Sequence, residues 1–248
     1  GIVPTLDFNN FFVSFQDGYF RPIEIQPIVS YKAGDEVVAY IDTRGNLKMY
    51  DGKERIDVTT LNVDYQVSDH LMAYKIANGL RMWDAGKFTS LTNFGREFVV
   101  KDSIIVYEDT RYQSLNVYWN QKLESLVTIT NGLSMNAVVG ENMVVYKDNS
   151  STYFVFWRGQ KFEIGTYNEE QLNFQLGTDV MCFKDPYTQS FYVFDNGVFQ
   201  EVESFPIKQY KAGRGFVVYE DMNGNLWHYQ AGQKTALSNF SSEFWDVK

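Results

Sequence analysis

Short apolar runs, rich in β-branched and aromatic residues, alternate with polar turns along the whole chain. Residues 37–41 and 47–50 are two such runs, and they flank the segment Asp-Thr-Arg-Gly-Asn at 42–46. Strand-type residues on both sides of a Gly/Asn turn predict a β-hairpin. The first half of this hairpin recurs at 104–109, 143–148 and 216–221, with looser copies at 71–74 and 180–185.

An aromatic residue near the end of the second strand of each hairpin gives the repeat length. These residues are Phe15, Tyr50, Trp83, Tyr118, Phe156, Phe194 and Tyr229. Their spacings of 35, 33, 35, 38, 38 and 35 residues define seven units that account for all 248 residues. Each unit divides into four short strands, called a to d here. No helical stripe of useful length is present.

Four strands repeated about every 35 residues indicate an all-β fold, a seven-bladed β-propeller of four-stranded antiparallel blades in one domain, 1–248. The chain starts at strand b of its first unit, and residues 240–248 resemble a strand a with nothing after it. We therefore expect a ring closed by the C-terminal strand joining the N-terminal strands, which would remove exposed sheet edges.

The repeat Val-Val-Ala-Tyr-Ile-Asp followed by Leu-Lys-Met-Tyr-Asp-Gly, at 37–42 and 47–52, resembles the repeats of TolB-type bacterial propellers. Those repeats are longer, usually make six blades and carry a Ser-Pro-Asp-Gly turn between strands a and b. Here that turn is Lys-Ala-Gly-Asp at 32–35 or Ser-Asp at 68–69. The resemblance implies a docking role in a bacterial envelope complex, with an extracytoplasmic location in the periplasm or at the cell surface.

Composition narrows the choice of partner. The chain has a net charge of −9 and no 18-residue apolar run, so we expect a soluble protein with neither a nucleic-acid partner nor a membrane span. Gly1 stands where an initiator Met is usual, so either a leader was removed or the sequence was cut there. The single cysteine, Cys182, lies in a predicted strand, which favours a small buried apolar residue over a reactive thiol.

An aspartate follows strand b in most units. In a propeller these b–c turns share a face with the d–a loops, around the mouth of the central channel. A ring of carboxylates there would suit a cation or a basic ligand, whereas an Asx turn explains the same residues as local folding signals and is favoured by their repetition. The predicted channel-mouth carboxylates are Asp42, Asp109, Asp148, Asp185 and Asp221, with Asp7 equivalent.

Aromatic residues make up 17% of the chain and fall into two groups. Those on strands b and c are expected to pack between neighbouring blades. Others lie in the longest loops, which belong to the third to fifth units, at 109–114, 148–153, 185–190, 130–135 and 167–173. Because binding residues concentrate on loops, we expect a protein-partner contact there. Its predicted residues are Arg111, Tyr112, Tyr153, Tyr167 and Tyr187.

No catalytic, metal-binding or cofactor-binding residue is predicted. The two histidines, His70 and His228, lie in different units, and no nucleophile elbow, zinc-protease, phosphate-loop or dinucleotide motif occurs. The sequence favours a non-catalytic interaction scaffold that docks on, or occludes, a larger cell-envelope transport or secretion assembly. A lectin-like glycan binder using loop aromatics, Trp245 among them, and a propeller glycoside hydrolase stay open as alternatives.

Overall fold

The computed structural model describes residues 1–61, 63–129, 136–168, 172–238 and 245–246. All regular structure in these ranges consists of β-strands, which form seven antiparallel sheets. The chain divides into two compact units, Gly1–Met135 and Asn136–Lys248. None of the described residues belongs to a helix long and apolar enough to cross a membrane.

The first unit contains four sheets, each a simple meander of neighbouring strands. Sheet 1 has order β1-β2-β3, and sheets 2 to 4 have four strands each in chain order. The strands are β1 (Val3–Leu6), β2 (Phe12–Gln16), β3 (Tyr19–Glu24), β4 (Ile28–Ala33), β5 (Val38–Asp42), β6 (Leu47–Tyr50), β7 (Arg55–Thr59), β8 (Asp64–Val67), β9 (Leu71–Ile76), β10 (Gly79–Asp84), β11 (Lys87–Thr92), β12 (Gly95–Val100), β13 (Ile104–Asp109), β14 (Ser114–Trp119) and β15 (Lys122–Thr128).

The second unit contains sheets 5 to 7, again four strands each in chain order. The strands are β16 (Ala137–Val139), β17 (Met143–Lys147), β18 (Thr152–Trp157), β19 (Gln160–Thr166), β20 (Gln175–Leu176), β21 (Val180–Lys184), β22 (Phe191–Asp195), β23 (Val198–Glu203), β24 (Ile207–Ala212), β25 (Val217–Asp221), β26 (Leu226–Gln230) and β27 (Gln233–Ser238). The predicted four-strand repeat is therefore confirmed in six sheets.

Apolar side chains pack between successive sheets of each unit. Tyr40 of β5 and Tyr50 of β6 belong to one apolar cluster with Phe12 and Ile23 of sheet 1, and Tyr219 packs with Phe191 between sheets 6 and 7. The predicted packing of strand-b aromatics is confirmed, since all six are at most 4% exposed: Tyr40, Tyr74, Tyr107, Tyr146, Phe183 and Tyr219. Burial, with a neighbouring aspartate, raises the pKa of the Tyr107 and Tyr146 hydroxyls to about 12. Cys182 is likewise buried, and burial raises the pKa of its thiol.

The predicted closure by a C-terminal strand is wrong. Within the part of the chain that the structure describes, the three strands of sheet 1 pair only with one another, and the last strand ends at Ser238. Most of the predicted strand at 240–248 lies outside the described residues; Trp245 and Asp246 contact Lys211 of β24 instead, with Lys211 Nζ 2.8 Å from Asp246 Oδ1. The repeated pattern of apolar and turn residues in the sequence indicates which strands pair within one sheet. Closure of a ring depends instead on the angle between successive sheets, and a short segment of sequence does not indicate that angle.

Candidate interaction surface

The strand order assigns every connection to one of two edges of its sheet. In an antiparallel meander, the a–b and c–d connections lie at one end of the strands, and the b–c and d–a connections lie at the other. We call these ends the turn edge and the loop edge. Sheet 1 consists of strands b, c and d, so its β1–β2 connection belongs to the loop edge.

Exposed large apolar residues in connections occur only at the loop edge of the described sheets. Phe8 is 94% exposed, Phe205 72% and Tyr112 66%, and each lies in a b–c or d–a connection. The a–b and c–d connections in the described ranges contain no exposed large apolar residue. The loop-edge set is Phe8, Phe11, Ile25, Leu61, Phe94 and Tyr112 in the first unit and Tyr187, Phe205 and Met222 in the second.

The predicted channel-mouth carboxylates hold the b–c turns of the loop edge. Oδ1 of Asp42 accepts hydrogen bonds from the backbone N–H groups of Arg44 and Asn46, both at 2.9 Å. The same pattern, with donors two and three or four residues further on, occurs at Asp7, Asp109, Asp148, Asp185 and Asp221. These bonds are Asx turns, and they satisfy backbone donors that the tight connection would otherwise leave unpaired.

The second oxygen of several of these carboxylates is also occupied. Asp109 Oδ2 accepts from Thr92 Oγ1 at 2.6 Å, and Asp185 Oδ2 accepts from the Tyr167 hydroxyl at 2.8 Å. Both donors belong to the end of the preceding sheet, so each bond ties a turn to its neighbour. Among the described residues, no group of three or more His, Cys, Asp or Glu side chains could hold a metal ion.

Hydrogen bonding decides the charge state of two of these aspartates. Burial opposes ionisation of Asp42, but hydrogen bonds from Asn46, Lys48 and Arg44 outweigh it and lower the pKa to about 2. Burial of Asp221 is likewise outweighed by hydrogen bonds from Trp227, Asn225 and Asn223, which lower its pKa to about 2. Both carboxylates are therefore ionised near neutral pH, and their hydrogen bonds hold them within their turns.

Arg111 and Tyr112 form an exposed cluster with Phe94 in the first unit. The Arg111 guanidinium carbon lies 5.3 Å from the Phe94 ring centre and 5.5 Å from that of Tyr112, distances suited to cation–π contacts. Phe94 is 40% exposed and comes from the d–a connection between sheets 3 and 4, while Arg111 and Tyr112 come from the b–c turn of sheet 4. One charged and two aromatic side chains thus share one exposed site.

Tyr153, Tyr167 and Tyr187 meet in the second unit. The Tyr167 ring centre lies 6.1 Å from that of Tyr153 and 5.6 Å from that of Tyr187. Tyr153 and Tyr167 are buried, whereas Tyr187 is 59% exposed, and its hydroxyl accepts from the Asn168 backbone N–H at 3.1 Å. Only Tyr187 of the three presents a large surface to a partner; the other two support it. The predicted loop 130–135 lies outside the described residues.

The structure adds loop-edge residues that the sequence analysis missed, chiefly Phe94, Phe205 and Met222. The loop prediction followed unusual loop length, and these three residues lie in short connections. The signal that could have revealed them is a large apolar residue inside a short polar turn, as in Asn-Phe-Gly at 93–95 and Ser-Phe-Pro at 204–206.

A charged cleft of about 440 Å³ also opens at the loop edge, between sheets 1 and 2. The buried carboxylate of Glu24 accepts from the Tyr40 hydroxyl at 3.2 Å, from Lys48 at 3.1 Å and from Arg55 at 3.1 Å. Burial disfavours the charge of Lys48, but Glu24 and Asp42 outweigh it and raise the Lys48 pKa. The charges in the cleft are thus largely paired with one another.

Successive antiparallel four-stranded meanders, packed through aromatic residues and joined by short connections, define the β-propeller class. The chain matches the model of the family described as "10-bladed beta propeller domain" over residues 1–248, and it belongs to that family. A comparison with curated proteins gave no match.

Several solved structures are similar to this chain at low sequence identity. The ectodomain of the Arabidopsis thaliana receptor kinase ACR4, a CRINKLY WD40 domain, is 11% identical, with 96% of this chain and 93% of that chain covered and a TM-score of 0.40. Prp20p from Saccharomyces cerevisiae is 9% identical, with 86% and 77% covered and a TM-score of 0.42; its description names binding to Gsp1p and histones. The computationally designed protein Ika8 is 15% identical, with 96% and 83% covered and a TM-score of 0.41. Similarity at this level says nothing about function.

The family description overturns the predicted blade count. The sequence prediction of a seven-bladed propeller counted seven repeats from the spacing of the strand-c aromatic residues, whereas the family is described as ten-bladed. Such a count gives the number of repeats in a given stretch of sequence. The number of blades in a propeller is set by the rotation between successive sheets, so a repeat count does not determine it.

Proposed function

We propose that this propeller is a non-catalytic protein-interaction module that binds its partner through the loop edge. The observation that carries the proposal is the placement of exposed apolar residues in connections, which fall at the loop edge and not at the turn edge of the described sheets. Exposed aromatic residues are costly to leave in water, and clusters of them mark contact sites.

The composition of the exposed sites is that of an interface centre. Tyr and Arg are among the residues that dominate binding energy at protein–protein interfaces. Arg111, Tyr112 and Phe94 supply this combination in the first unit, and Tyr187 and Phe205 supply exposed rings in the second. The partner surface is expected to be apolar with acceptor groups for Arg111, because the aromatic rings need apolar contact and the guanidinium needs hydrogen-bond acceptors.

The setting that we propose is extracytoplasmic, with the propeller docking on, or occluding, a larger cell-envelope assembly for transport or secretion. Its support is the resemblance of the repeats to those of TolB-type propellers, together with a net charge of −9, which disfavours nucleic acid and anionic lipid as partners. Fractionation of the native host tests the location: recovery with the cytoplasmic fraction would contradict it.

The binding proposal is tested by affinity capture from the native host at low salt with two loop-edge variants. Phe94→Ser with Tyr112→Ser changes the first unit, and Tyr187→Ser with Phe205→Ser changes the second. We expect each pair to reduce retention of the specific partner at least tenfold, since the loss of one interface anchor costs about 1–4 kcal/mol and 1.4 kcal/mol is about tenfold.

The matched control is Leu123→Ser with Val198→Ser. Leu123 is 50% exposed and Val198 54%, and both lie at the starts of d strands, away from the loop edge. This control removes two exposed apolar side chains at the opposite end of their strands, so retention should be unchanged. Equal loss of the partner with the control pair and the loop-edge pairs would show that the loop edge is not the binding surface.

A further inference from the structure

The charged cleft at the loop edge of sheets 1 and 2 has the size and the charged lining of a ligand site. Its volume of about 440 Å³ falls within the range of about 300–1,000 Å³ of small-molecule sites in proteins. Three anionic and three cationic side chains line it, and these are Glu24, Asp42 and Asp57 with Arg44, Lys48 and Arg55. The groups among them that remain unpaired decide which ligand the cleft can bind.

The two buried carboxylates of the cleft already have their hydrogen-bond donors. Glu24 Oε2 accepts from Lys48 Nζ, and Glu24 Oε1 accepts from Arg55 Nη1, both at 3.1 Å. Asp42 Oδ1 accepts from two backbone N–H groups of its own turn. Asp42 Oδ2 accepts from Asn46 Nδ2 at 2.9 Å and lies 3.2 Å from Lys48 Nζ. All four oxygens are thus occupied, so a cationic ligand would have to displace bonds that the protein makes itself.

The guanidinium groups of Arg44 and Arg55 supply the donors that remain. Among the described residues, the Arg44 guanidinium takes part in no hydrogen bond or ion pair. Arg55 bonds to Glu24 through Nη1 alone, which leaves its Nε and Nη2 without an acceptor in the described part of the chain. A guanidinium carries five N–H donors and no acceptor. The cleft therefore offers hydrogen-bond donors and positive charge to a ligand.

The balance of charge favours a carboxylate over a phosphate. The charges of the three anionic and three cationic side chains in the lining sum to zero. A carboxylate brings a single negative charge and matches the two parallel N–H donors of a guanidinium. A phosphate dianion would bring a second negative charge close to Glu24 and Asp42, and their repulsion would disfavour it.

Exposed apolar residues beside the cleft favour a peptide as the carrier of the carboxylate. Ile25 is 67% exposed and lies between the lining residues Glu24 and Gln26. Leu61 is 51% exposed and follows the lining residue Thr60. Both belong to the loop-edge set that the proposed function assigns to a protein partner. An acidic side chain next to an apolar one in the partner sequence matches the cleft and its surroundings together.

We propose that this cleft binds an acidic side chain of the protein partner, whose carboxylate accepts hydrogen bonds from Arg44 and Arg55. An apolar neighbour of that residue in the partner packs against Ile25 and Leu61. The inference rests on the proposed function in taking its occupant from a protein partner, and it adds the chemistry of the partner segment that faces the first unit.

The test is a titration of the ¹⁵N-labelled protein, followed through its arginine Nε–H signals. The chain has eight arginines, and Arg44→Gln and Arg55→Gln assign the two relevant signals. The probes are the peptide acetyl-Gly-Leu-Glu-Leu-Gly-amide, the same peptide with glutamine in place of glutamate, and inorganic phosphate. We expect saturable shifts of both signals with the glutamate peptide, at a Kd of about 1 mM or below. The glutamine peptide should bind about tenfold more weakly, because it lacks the charge-assisted hydrogen bonds.

A matched pair of variants locates the bound carboxylate. Arg44→Gln keeps the backbone N–H that donates to Asp42 and removes the guanidinium, so it should weaken binding of the glutamate peptide about tenfold. Arg81→Gln removes the same charge from an exposed side chain of β10 that does not line the cleft, and it should leave binding unchanged. Equal binding of the two peptides, phosphate binding as tight as that of the glutamate peptide, or equal weakening by both variants would each overturn the proposal.

The titration uses no partner, so its outcome is separate from that of the capture experiment. Peptide binding at the cleft, together with unchanged capture by the loop-edge variants, would support the cleft assignment and contradict the proposed function. Absence of shifts at Arg44 and Arg55, together with impaired capture by those variants, would overturn the cleft assignment alone.

Discussion

The turn edge and the loop edge of the same sheets are built differently. At the turn edge, connections are short, polar and pressed against the neighbouring sheet: a Cβ placed on Gly34 would lie 1.8 Å from the Ser68 backbone oxygen. At the loop edge, the aspartates hold the turns from inside, and large apolar side chains point outward. The comparison teaches that the turn edge holds neighbouring sheets together, while the loop edge leaves apolar side chains exposed for contact with a partner.

The largest effect is expected from filling the close approach at the turn edge. Gly34→Ala places a methyl group against backbone that cannot rotate away, so the free energy of unfolding should fall by about 3 kcal/mol in urea titrations. Gly18→Ala is the control, because Gly18 has a φ of +84° and no atom within 4 Å of an added Cβ. It should cost only the backbone strain of about 1 kcal/mol. Equal losses would show that close packing is not what the turn edge provides.

Acid should weaken the loop edge through two of its hydrogen-bonded carboxylates. The pKa values of Asp42 and Asp221 fall from the ordinary 3.8 to about 2 on folding, so their ionised forms stabilise the folded state above pH 4. That stability is lost as the pH falls from about 4 to about 2, and it amounts to about 1–2 kcal/mol for each carboxylate. Urea titrations across this range should give a smaller pH-dependent loss for Asp42→Asn/Asp221→Asn than for the unchanged protein. An identical pH dependence would contradict the assignment.

A smaller effect is expected from one hydrogen bond of sheet 7. Trp227 Nε1 donates to Asp221 Oδ2 at 3.0 Å, and Lys234 Nζ lies 4.0 Å from the centre of the Trp227 ring. Trp227→Phe removes the donor and keeps a ring for Lys234, so it should cost about 1 kcal/mol. NMR titration should show the pKa of Asp221 moving back toward 3.8. An unchanged pKa would show that Trp227 does not hold this carboxylate in its ionised form.

Local features of the fold could be predicted from the sequence, and long-range ones could not. Alternating apolar residues and Gly/Asn turns located strands such as β9 and β13, and the aspartate after strand b identified its turn. Closure by the C-terminal strand and the number of blades failed, because both depend on the rotation between sheets, to which no short segment of sequence corresponds.

In the candidate interaction surface too, local features could be predicted from the sequence and long-range ones could not. Loop position singled out Arg111, Tyr112 and Tyr187, which are exposed, but also Tyr153 and Tyr167, which are buried beneath Tyr187. Whether a loop tyrosine points outward depends on the packing of the neighbouring sheet. The acceptor of the Tyr167 hydroxyl, Asp185, lies in that neighbouring sheet, so residue type and loop length alone could not have indicated burial.

Hydrogen exchange on the captured complex, compared with the free protein, tests the central claim most directly. The account predicts slower exchange on binding in the loop-edge turns at 109–113 and 185–190, and unchanged exchange in the turn-edge hairpins at 84–87 and 195–198. Protection confined to the turn-edge hairpins, with the loop-edge turns unchanged, would contradict it.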